Sequence, residues 1–212
     1  MDFQDFITHI PKIEQEILLG ELAHQIMSPP ERADLIKNLN LETLNPKKAA
    51  VMMLFYPKNK ITHLVLIVRN SYKGVHSAQI AFPGGKVELT DLNFEDTALR
   101  ETEEEVGVLR HKIKVIRAFT EIYIPPSNFM VYPFLGFYED ELVFLPDPEE
   151  VAGIIELPLK DFLNEDFVVN HNMSTSYSVD IQVPAFLIQE HIVWGATAMM
   201  LSELKETLKK VL

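Results

Sequence analysis

The sequence predicts one α/β domain, in which a mixed sheet lies between helices, preceded by a helical extension. The 212 residues include 47% hydrophobic side chains, which is enough for one globular core. Hydrophobic residues recur at helical spacing up to about residue 45, then in short strand-like runs, and at helical spacing again near the C-terminus. No internal repeat or low-complexity linker divides the chain. We therefore expect residues 1–45 to form the extension and residues 46–212 to form the domain.

The individual elements are predicted from their spacing and from the residues that interrupt them. Helical spacing runs through DFQDFITHIPKIEQEI and ERADLIKNLN, and Pro29-Pro30 separates these two segments. AAVMMLFY and THLVLIVR predict a hairpin around a turn at residues 57–60. The later predicted strands are HKIKVIRAF, MVYPFLGFY, ELVFL, VAGIIEL, YSVDIQV and FLIQEHIV. LKDFL predicts a short helix, and TAMMLSELKETLKKVL predicts the terminal helix.

The composition excludes several classes of protein. The chain has no cysteine, which excludes disulfides, thiolate nucleophiles and thiolate metal sites. Its formal net charge is −12 and no run of Lys or Arg is present, which argues against a nucleic-acid partner. No apolar run approaches the ~20 residues that span a bilayer, and the N-terminus differs from a secretory signal. We therefore expect a soluble, cytoplasmic protein without a membrane partner.

The negative charge is concentrated in residues 88–105, which include eight acidic residues and one basic residue, Arg100. In a helix, Glu101, Glu104 and Glu105 share one face, whereas Glu103 points elsewhere. No Lys or Arg follows the three at the spacing that would relieve their repulsion. A bound cation would relieve it. The alternative interpretation of this glutamate run is a solvated helix face.

The rest of this helix is predicted to pack on the sheet. Its apolar arc is Ala98, Leu99, Thr102, Val106 and Leu109. Gly107 is expected to end the helix.

A glycine turn precedes the acidic helix. The strand-like residues 79–82 lead into Pro83-Gly84-Gly85. Glycines allow a backbone carbonyl to approach a metal or a phosphate without obstruction by a side chain. A carbonyl together with carboxylates suits Mg²⁺ or Mn²⁺. The predicted metal ligands are Gly85, Glu101, Glu104 and Glu105.

These residues resemble the signature of the Nudix hydrolase family, which reads G, five residues, E, seven residues, then R-E-U-x-E-E-x-G-U, where U is bulky and apolar. In this chain Gly85 is followed after five residues by Asp91, and after eight more by RETEEEVGV at residues 100–108. The chain differs in having Asp91, one additional loop residue, and Thr102 at an apolar position. The resemblance implies a Nudix-type α/β/α sandwich that hydrolyses a nucleoside diphosphate-linked substrate with Mg²⁺ or Mn²⁺.

Further stretches resemble the coenzyme A pyrophosphatase branch of that family. They are LIVRN at 66–70, HSAQIAFPGG at 76–85 and WGATA at 194–198, although Asn70, Gly74 and Ala78 depart from the branch pattern. The resemblance implies coenzyme A or a derivative as substrate, with adenosine 3′,5′-bisphosphate and 4′-phosphopantetheine as products. The alternatives are a Nudix pyrophosphatase that acts on nucleotide sugars, dinucleotides or oxidised nucleotides, and a non-catalytic ligand-sensing domain.

The resemblance also suggests residue roles. Glu104 is the predicted base, with Glu150 as a second candidate, and Arg100 is predicted to orient a glutamate. The predicted substrate-binding residues are Arg69, Lys73, His76, Phe82 and Gly84. A coenzyme A site in so acidic a chain needs a local cation for the 3′-phosphate, and Arg69 and Lys73 flank the glycine turn.

Three of these residues have an ordinary structural interpretation as well. Arg69 could form a surface salt bridge, His76 could be a structural hydrogen-bonding residue, and Glu150 could be an exposed loop acid. The predicted partner is a small nucleotide-type molecule, and the sequence leaves open whether the chain forms a homodimer.

Overall fold

The computed structural model describes residues 1–37, 39–70, 79–173 and 181–212. The helices are α1 Phe3–Gln15, α2 Glu21–Ile26, α3 Arg32–Ile36, α4 Leu41–Leu44, α5 Phe94–Val106, α6 Leu159–Leu163 and α7 Gly195–Val211. The first strands are β1 Lys47–Lys58, β2 Ile61–Arg69, β3 Ile80–Ala81, β4 Gly84–Lys86, β5 Lys114–Ala118 and β6 Ile122–Ile124. The remaining strands are β7 Phe129–Phe137, β8 Val151–Pro158, β9 Val168–Met173, β10 Ile181–Ile188 and β11 His191–Val193. Within these ranges no helix is long and apolar enough to cross a membrane.

The strands form a mixed sheet of eight strands and a small antiparallel sheet of three, counted over the described residues. The order β3-β2-β1-β7-β5 runs through the large sheet, while β4, β6 and β8 pair with β1, β7 and β2 respectively. β1 and β7 are parallel, and the other pairs are antiparallel. The predicted mixed sheet is confirmed.

Strand β1 is buried on both faces because helices cover both sides of the sheet. Side chains alternate between the faces of a strand, so Met53 and Phe55 alternate with Met52 and Leu54. Met53 and Phe55 belong to a core with α1 and α7, whereas Met52 and Leu54 belong to a second core with α5. This arrangement is the predicted α/β/α sandwich.

The described residues before 46 contain the four helices α1 to α4, in agreement with the expected helical extension, and they share the core of the domain. Phe3, Phe6 and Ile13 of α1 are fully or almost fully buried in the core that includes α7. The α1 helix begins at the N-cap Asp2, whose carboxylate accepts the N–H of Gln4 at 2.9 Å. The division between an extension at 1–45 and a domain at 46–212 stays a prediction.

Several predicted boundaries were wrong. Residues 141–145 form no strand; Leu142 and Phe144 pack on the core with α5, and the N–H of Leu145 donates to the carbonyl of Val106 at 3.0 Å. This segment therefore covers the end of α5 and does not extend the sheet. Leu109 lies beyond the helix and is exposed, so it does not belong to the buried arc of α5.

Other corrections concern turns. The first hairpin turns at Asn59-Lys60 only, where both residues have positive φ, so β1 extends to Lys58. FLIQEHIV comprises the end of β10 and the whole of β11, which pair around a turn at residues 189–190. Part of the predicted strand YSVDIQV, residues 177–180, lies outside the described residues.

A buried carboxylate joins the N-terminal helices to α7. The side chain of Glu203 is 1% exposed and lies within hydrogen-bonding distance of Gly20 N at 3.0 Å and of His24 Nε2 at 3.2 Å. It also accepts the hydroxyl of Thr120 at 2.6 Å and its N–H at 3.2 Å. Burial raises the pKa of Glu203, but the hydrogen bonds from His24 and Thr120 outweigh it, so that the pKa lies below its ordinary value.

We expect Glu203→Gln to lower the free energy of unfolding by about 3 kcal/mol at pH 7, because the amide cannot accept from all of these donors. The pKa of Glu203 is lower in the folded than in the unfolded chain, where it is about 4.3. Its ionised form therefore stabilises the fold above that pH, and this contribution is lost as the pH falls through the folded-state pKa. Urea unfolding between pH 3 and pH 7 measures both effects.

Glu206→Gln is the matched control, since Glu206 lies on the same helix and, among the described residues, pairs with Lys209 alone, at 2.9 Å. We expect the difference between Glu203→Gln and wild type to shrink towards pH 3. A difference that is constant over this pH range would contradict the assigned role of the ionised carboxylate.

Candidate active site

Helix α5 presents its acidic residues in a defined orientation. Its N-cap is Asn93, which accepts the N–H of Asp96 at 2.9 Å, and it ends at Gly107 with φ of 73°. The predicted stop at Gly107 is confirmed. Glu103 points away from the site, as expected, and lies 3.4 Å from Nε of Arg110.

The two glycines of the predicted turn belong to strand β4, which lies between β1 and α5. Gly84 pairs with Val51 and Gly85 pairs with Ala50 of β1. A side chain at Gly84 would overlap the backbone carbonyl of Ala50, and one at Gly85 would overlap the carboxylate of Glu101. Both positions therefore require glycine. At Gly84 the backbone of β1 leaves no room for a side chain, and at Gly85 the carboxylate of Glu101 leaves none.

Glu105 is buried at the contact between α5 and β4. Its side chain is 2% exposed, and its Oε2 accepts the N–H of Gly84 at 2.8 Å. Nη1 of Arg69 lies 3.2 Å from Oε1 of Glu105 and 3.5 Å from the carbonyl of Gly84. Burial raises the pKa of Glu105 to about 7, although Arg69 and the Gly84 N–H act in the opposite direction.

Arg100 holds three carboxylates together. Its Nε and Nη2 donate to the two oxygens of Asp91 at 2.8 and 3.0 Å. Its Nη1 donates to Glu101 at 3.0 Å and to Glu104 at 2.8 Å. Arg100, which precedes these glutamates, therefore relieves their repulsion. The sequence had suggested that only a bound cation would do so. The position of Arg100 agrees with the predicted orienting role, which stays a prediction.

Asp91 acts as the anchor of Arg100. Besides Arg100, its carboxylate accepts the N–H of Glu88 and the hydroxyl of Thr97, both at 2.8 Å. The hydrogen bond from Arg100 is the main cause that lowers the pKa of Asp91 below its ordinary value. Thr102, a second of the three departures from the signature, is buried, and its hydroxyl donates to the carbonyl of Ala98 at 2.6 Å. Both Asp91 and Thr102 therefore have hydrogen-bond partners in this structure.

The predicted metal ligands fall into two neighbouring groups. Glu101 and Glu104 meet at Arg100, with the Glu101 carboxylate against Gly85, whereas Glu105 lies beside Gly84 and Arg69. Burial raises the pKa of Glu101 despite its contact with Arg100. Among the described residues, no three acidic or histidine side chains converge closely enough to form a ready metal site. The ligand set stays a prediction.

The loop before β8 packs against the same edge. Oε2 of Glu150 lies 3.8 Å from Nη2 of Arg69, and the Glu150 side chain is 54% exposed. The N–H of Asn70 donates to the carbonyl of Glu150 at 2.9 Å, and the N–H of Asp147 donates to the carbonyl of Glu105 at 3.0 Å. The fold therefore brings Glu150 to the site, and its role as a base stays a prediction.

A cavity of about 600 Å³ opens beside β4. Three of the predicted substrate-binding residues line it: Arg69, Phe82 and Gly84. The other two, Lys73 and His76, lie outside the described residues. Sequence reasoning missed the remaining walls, which come from distant segments: Pro29, Arg32, Leu35, Lys86, Ile124, Phe129, Met199 and Met200.

Two of the stretches that resemble the coenzyme A pyrophosphatase branch meet in this cavity. Residues 79–85 and residues 194–197 both line it. The hydroxyl of Thr197 in α7 donates to the carbonyl of Ile80 in β3 at 3.0 Å, which joins the two stretches directly. Trp194, at the N-cap of α7, lines the cavity as well.

Comparison with known proteins gives a family match. A family model described as NUDIX domain matches residues 45–175. The chain is 31% identical over 169 residues to the uncharacterized Nudix hydrolase NudL of Photorhabdus laumondii subsp. laumondii, which covers 76% of this chain and 85% of that protein. It is also 31% identical over 177 residues to the uncharacterized Nudix hydrolase NudL of Enterobacter sp., which covers 78% and 85%.

Solved structures show the same fold. The Nudix hydrolase RenU from M. smegmatis superposes with a TM-score of 0.54 at 15% identity, covering 79% of this chain and 88% of that chain. A MutT/nudix family protein from Enterococcus faecalis superposes with a TM-score of 0.52 at 16% identity, covering 84% and 73%. The predicted Nudix-type fold is therefore confirmed.

The two glycines of β4 are expected to respond differently to alanine. Gly84→Ala should lower the free energy of unfolding by about 2 to 3 kcal/mol, because the new methyl group meets the backbone of β1. Gly85→Ala should cost less, because it meets the end of the Glu101 side chain, which can move away. Thermal unfolding of both variants measures the difference, and equal losses would contradict this assignment of the two contacts.

Proposed function

The chain belongs to the Nudix hydrolase family, whose chemistry is hydrolysis of nucleoside diphosphate-linked substrates, and we propose that its substrate is coenzyme A or a derivative. The observation that carries this proposal is the meeting of residues 79–85 and 194–197 in one cavity beside β4, the strand that contacts the acidic helix through Gly84 and Glu105. These stretches are distant in sequence, and both resemble the coenzyme A pyrophosphatase branch. The products are adenosine 3′,5′-bisphosphate and 4′-phosphopantetheine.

The donors in the site suit a hard divalent cation. Gly85, Glu101, Glu104 and Glu105 would supply only oxygen ligands, which Mg²⁺ and Mn²⁺ prefer. The Glu101 carboxylate lies directly against Gly85, so these two predicted ligands are neighbours. A bound Mg²⁺ or Mn²⁺ neutralises a diphosphate and lowers the pKa of a coordinated water.

The chain's own residues then have separate tasks. Glu104 is the candidate base, because its side chain is 57% exposed and is therefore accessible to water. Glu150 is the second candidate base, since its carboxylate lies near the Arg69 guanidinium, which also contacts Glu105. The base takes a proton from water while the water oxygen bonds to one phosphorus and the bridging P–O bond breaks; the bridging oxygen stays on the other phosphorus, so each product keeps one of the two phosphates. Arg100 keeps Glu101 and Glu104 together.

Arg69 is the candidate residue for binding the diphosphate. It lines the cavity, and its guanidinium contacts Glu105 and the carbonyl of Gly84. We therefore propose that Arg69 orients Glu105 and contributes positive charge beside the scissile group.

A screen of the purified protein for phosphate-containing products tests the substrate. With Mg²⁺ or Mn²⁺ present, we expect coenzyme A derivatives to have a higher kcat/KM than nucleotide sugars, dinucleotides and oxidised nucleotides. A preference for one of the latter classes would replace the proposed substrate. Binding without turnover of any of them would instead support a ligand-sensing domain.

Glu104→Gln should lower kcat by about 100-fold or more, with the melting temperature almost unchanged, because the side chain is exposed and only its charge is removed. Glu103→Gln is the matched control, since Glu103 is the preceding residue on α5 and faces Arg110. Steady-state kinetics and thermal unfolding measure the two effects.

Millimolar Mg²⁺ should raise the melting temperature of wild type and of Glu103→Gln more than that of Glu104→Gln, because a ligand of the folded state stabilises it by mass action. Near-normal turnover by Glu104→Gln would remove Glu104 from the mechanism.

A further inference from the structure

Three lysines line a second cavity that adjoins the cavity beside β4. Lys47 and Lys48 begin β1, and Lys86 ends β4. With residues 45, 46 and 87 they line a second, open cavity of about 530 Å³. Lys86 lines both cavities, so the two are adjacent.

The strand register places two of these lysines on the cavity side of the sheet. Lys86 pairs with Ala49, so both side chains lie on one face, and Lys47 is two residues before Ala49 on the same strand. Ala49 lines the active-site cavity. Nζ of Lys47 lies 5.8 Å from the ring centre of Phe129, which also lines that cavity. Lys47 and Lys86 therefore border the substrate space.

Lys48 faces the other way. Its Nζ lies 5.6 Å from the ring centre of Phe94, at the start of α5. Lys48 thus has the same charge as its neighbour Lys47 but belongs to the opposite face of the sheet.

The two cavity-side lysines, Lys47 and Lys86, form no ion pair with any described acid. Over residues 1–37, 39–70, 79–173 and 181–212, neither Lys47 nor Lys86 has a carboxylate oxygen within 4.0 Å of its ammonium group. By contrast, Arg69 and Arg100 are both paired with site carboxylates. In a chain of net charge −12, two unpaired ammonium groups at a cavity favour an anionic ligand.

We propose that Lys47 and Lys86 form a subsite for a phosphomonoester that the substrate carries in addition to its diphosphate. Lys86 follows Gly85 directly, so this subsite adjoins the proposed site of hydrolysis. A lysine ammonium is a compact point charge, which suits a terminal phosphate with about two negative charges. The proposal rests on the proposed function, because the 3′-phosphate of coenzyme A is such a group, and it assigns that group to these lysines and not to Arg69.

The test compares coenzyme A with dephospho-coenzyme A, which lacks only the 3′-phosphate. For the double variant Lys47→Gln/Lys86→Gln, we expect kcat/KM for coenzyme A to fall by roughly tenfold, mainly through KM, and by clearly less for dephospho-coenzyme A. The difference should diminish in 0.5 M salt, because exposed charges are screened. Equal losses on both substrates, or no loss on coenzyme A, would overturn the subsite.

Two single variants control for the loss of charge. Lys48→Gln removes the neighbouring charge on the opposite face, and Lys160→Gln removes one at the start of α6, at the far end of the sheet. Both should keep the wild-type ratio of the two substrates. A change of that ratio in Lys160→Gln as large as in the double variant would show a general charge effect and would overturn the subsite.

A binding measurement separates this proposal from the choice of substrate. By calorimetry, wild type should bind adenosine 3′,5′-bisphosphate more tightly than adenosine 5′-monophosphate, and the double variant should lose that preference. This result without coenzyme A turnover would keep the subsite and reject the proposed substrate. Turnover of coenzyme A with equal binding of the two nucleotides by wild type would keep the proposed function and reject the subsite.

Discussion

The active site depends on one buried carboxylate, that of Glu105. Its two oxygens join α5 to the N–H of Gly84 in β4 and to the guanidinium of Arg69 at the end of β2. A buried charge is tolerated only when its donors are in place, so this contact sets the position of α5 against the glycine strand. The other two predicted metal ligands on the helix lie beside this contact: Glu101 lies against Gly85, and Glu104 is exposed and pairs with Arg100.

The charges of the site are divided between two sides. On the α5 side, two arginines are engaged by five carboxylates, those of Asp91, Glu101, Glu104, Glu105 and Glu150. This side is acidic and suits a divalent cation. On the other side, Lys47 and Lys86 have no described carboxylate partner. A substrate with phosphates at two separate places matches such a division better than one with a single diphosphate.

Segments outside the family match complete the cavity. The match covers residues 45–175, whereas residues 29–35 and 194–200 supply much of the apolar wall. The neighbouring residues 20–24 and 202–203 are joined by buried polar contacts: Glu203 in α7 contacts Gly20 and His24, and Ser202 donates to the carbonyl of Ala23 at 2.8 Å. The hydrolytic chemistry therefore resides in β4 and α5, and the shape of the substrate space depends on the helices at the two ends of the chain.

The sequence by itself determined the features that depend on neighbouring residues. The stop of α5 at Gly107, the orientation of Glu103 away from the site and the helical character of residues 1–45 follow from capping and periodicity, which act over a few residues. The family signature likewise lies within one short stretch, residues 85–108. Local geometry is sufficient for all of these.

Only the tertiary structure decided which distant groups meet. Arg69 pairs with Glu105 across 36 residues, and Gly20 donates to Glu203 across 183. Lys47 and Lys86, which form no run in the sequence, become neighbours through the pairing of β1 with β4. The segment 141–145, an apolar run after Glu141, covers the end of α5 and does not pair as a strand. Such contacts depend on how elements pack, and packing responds to the shape of the whole core, which no local pattern encodes.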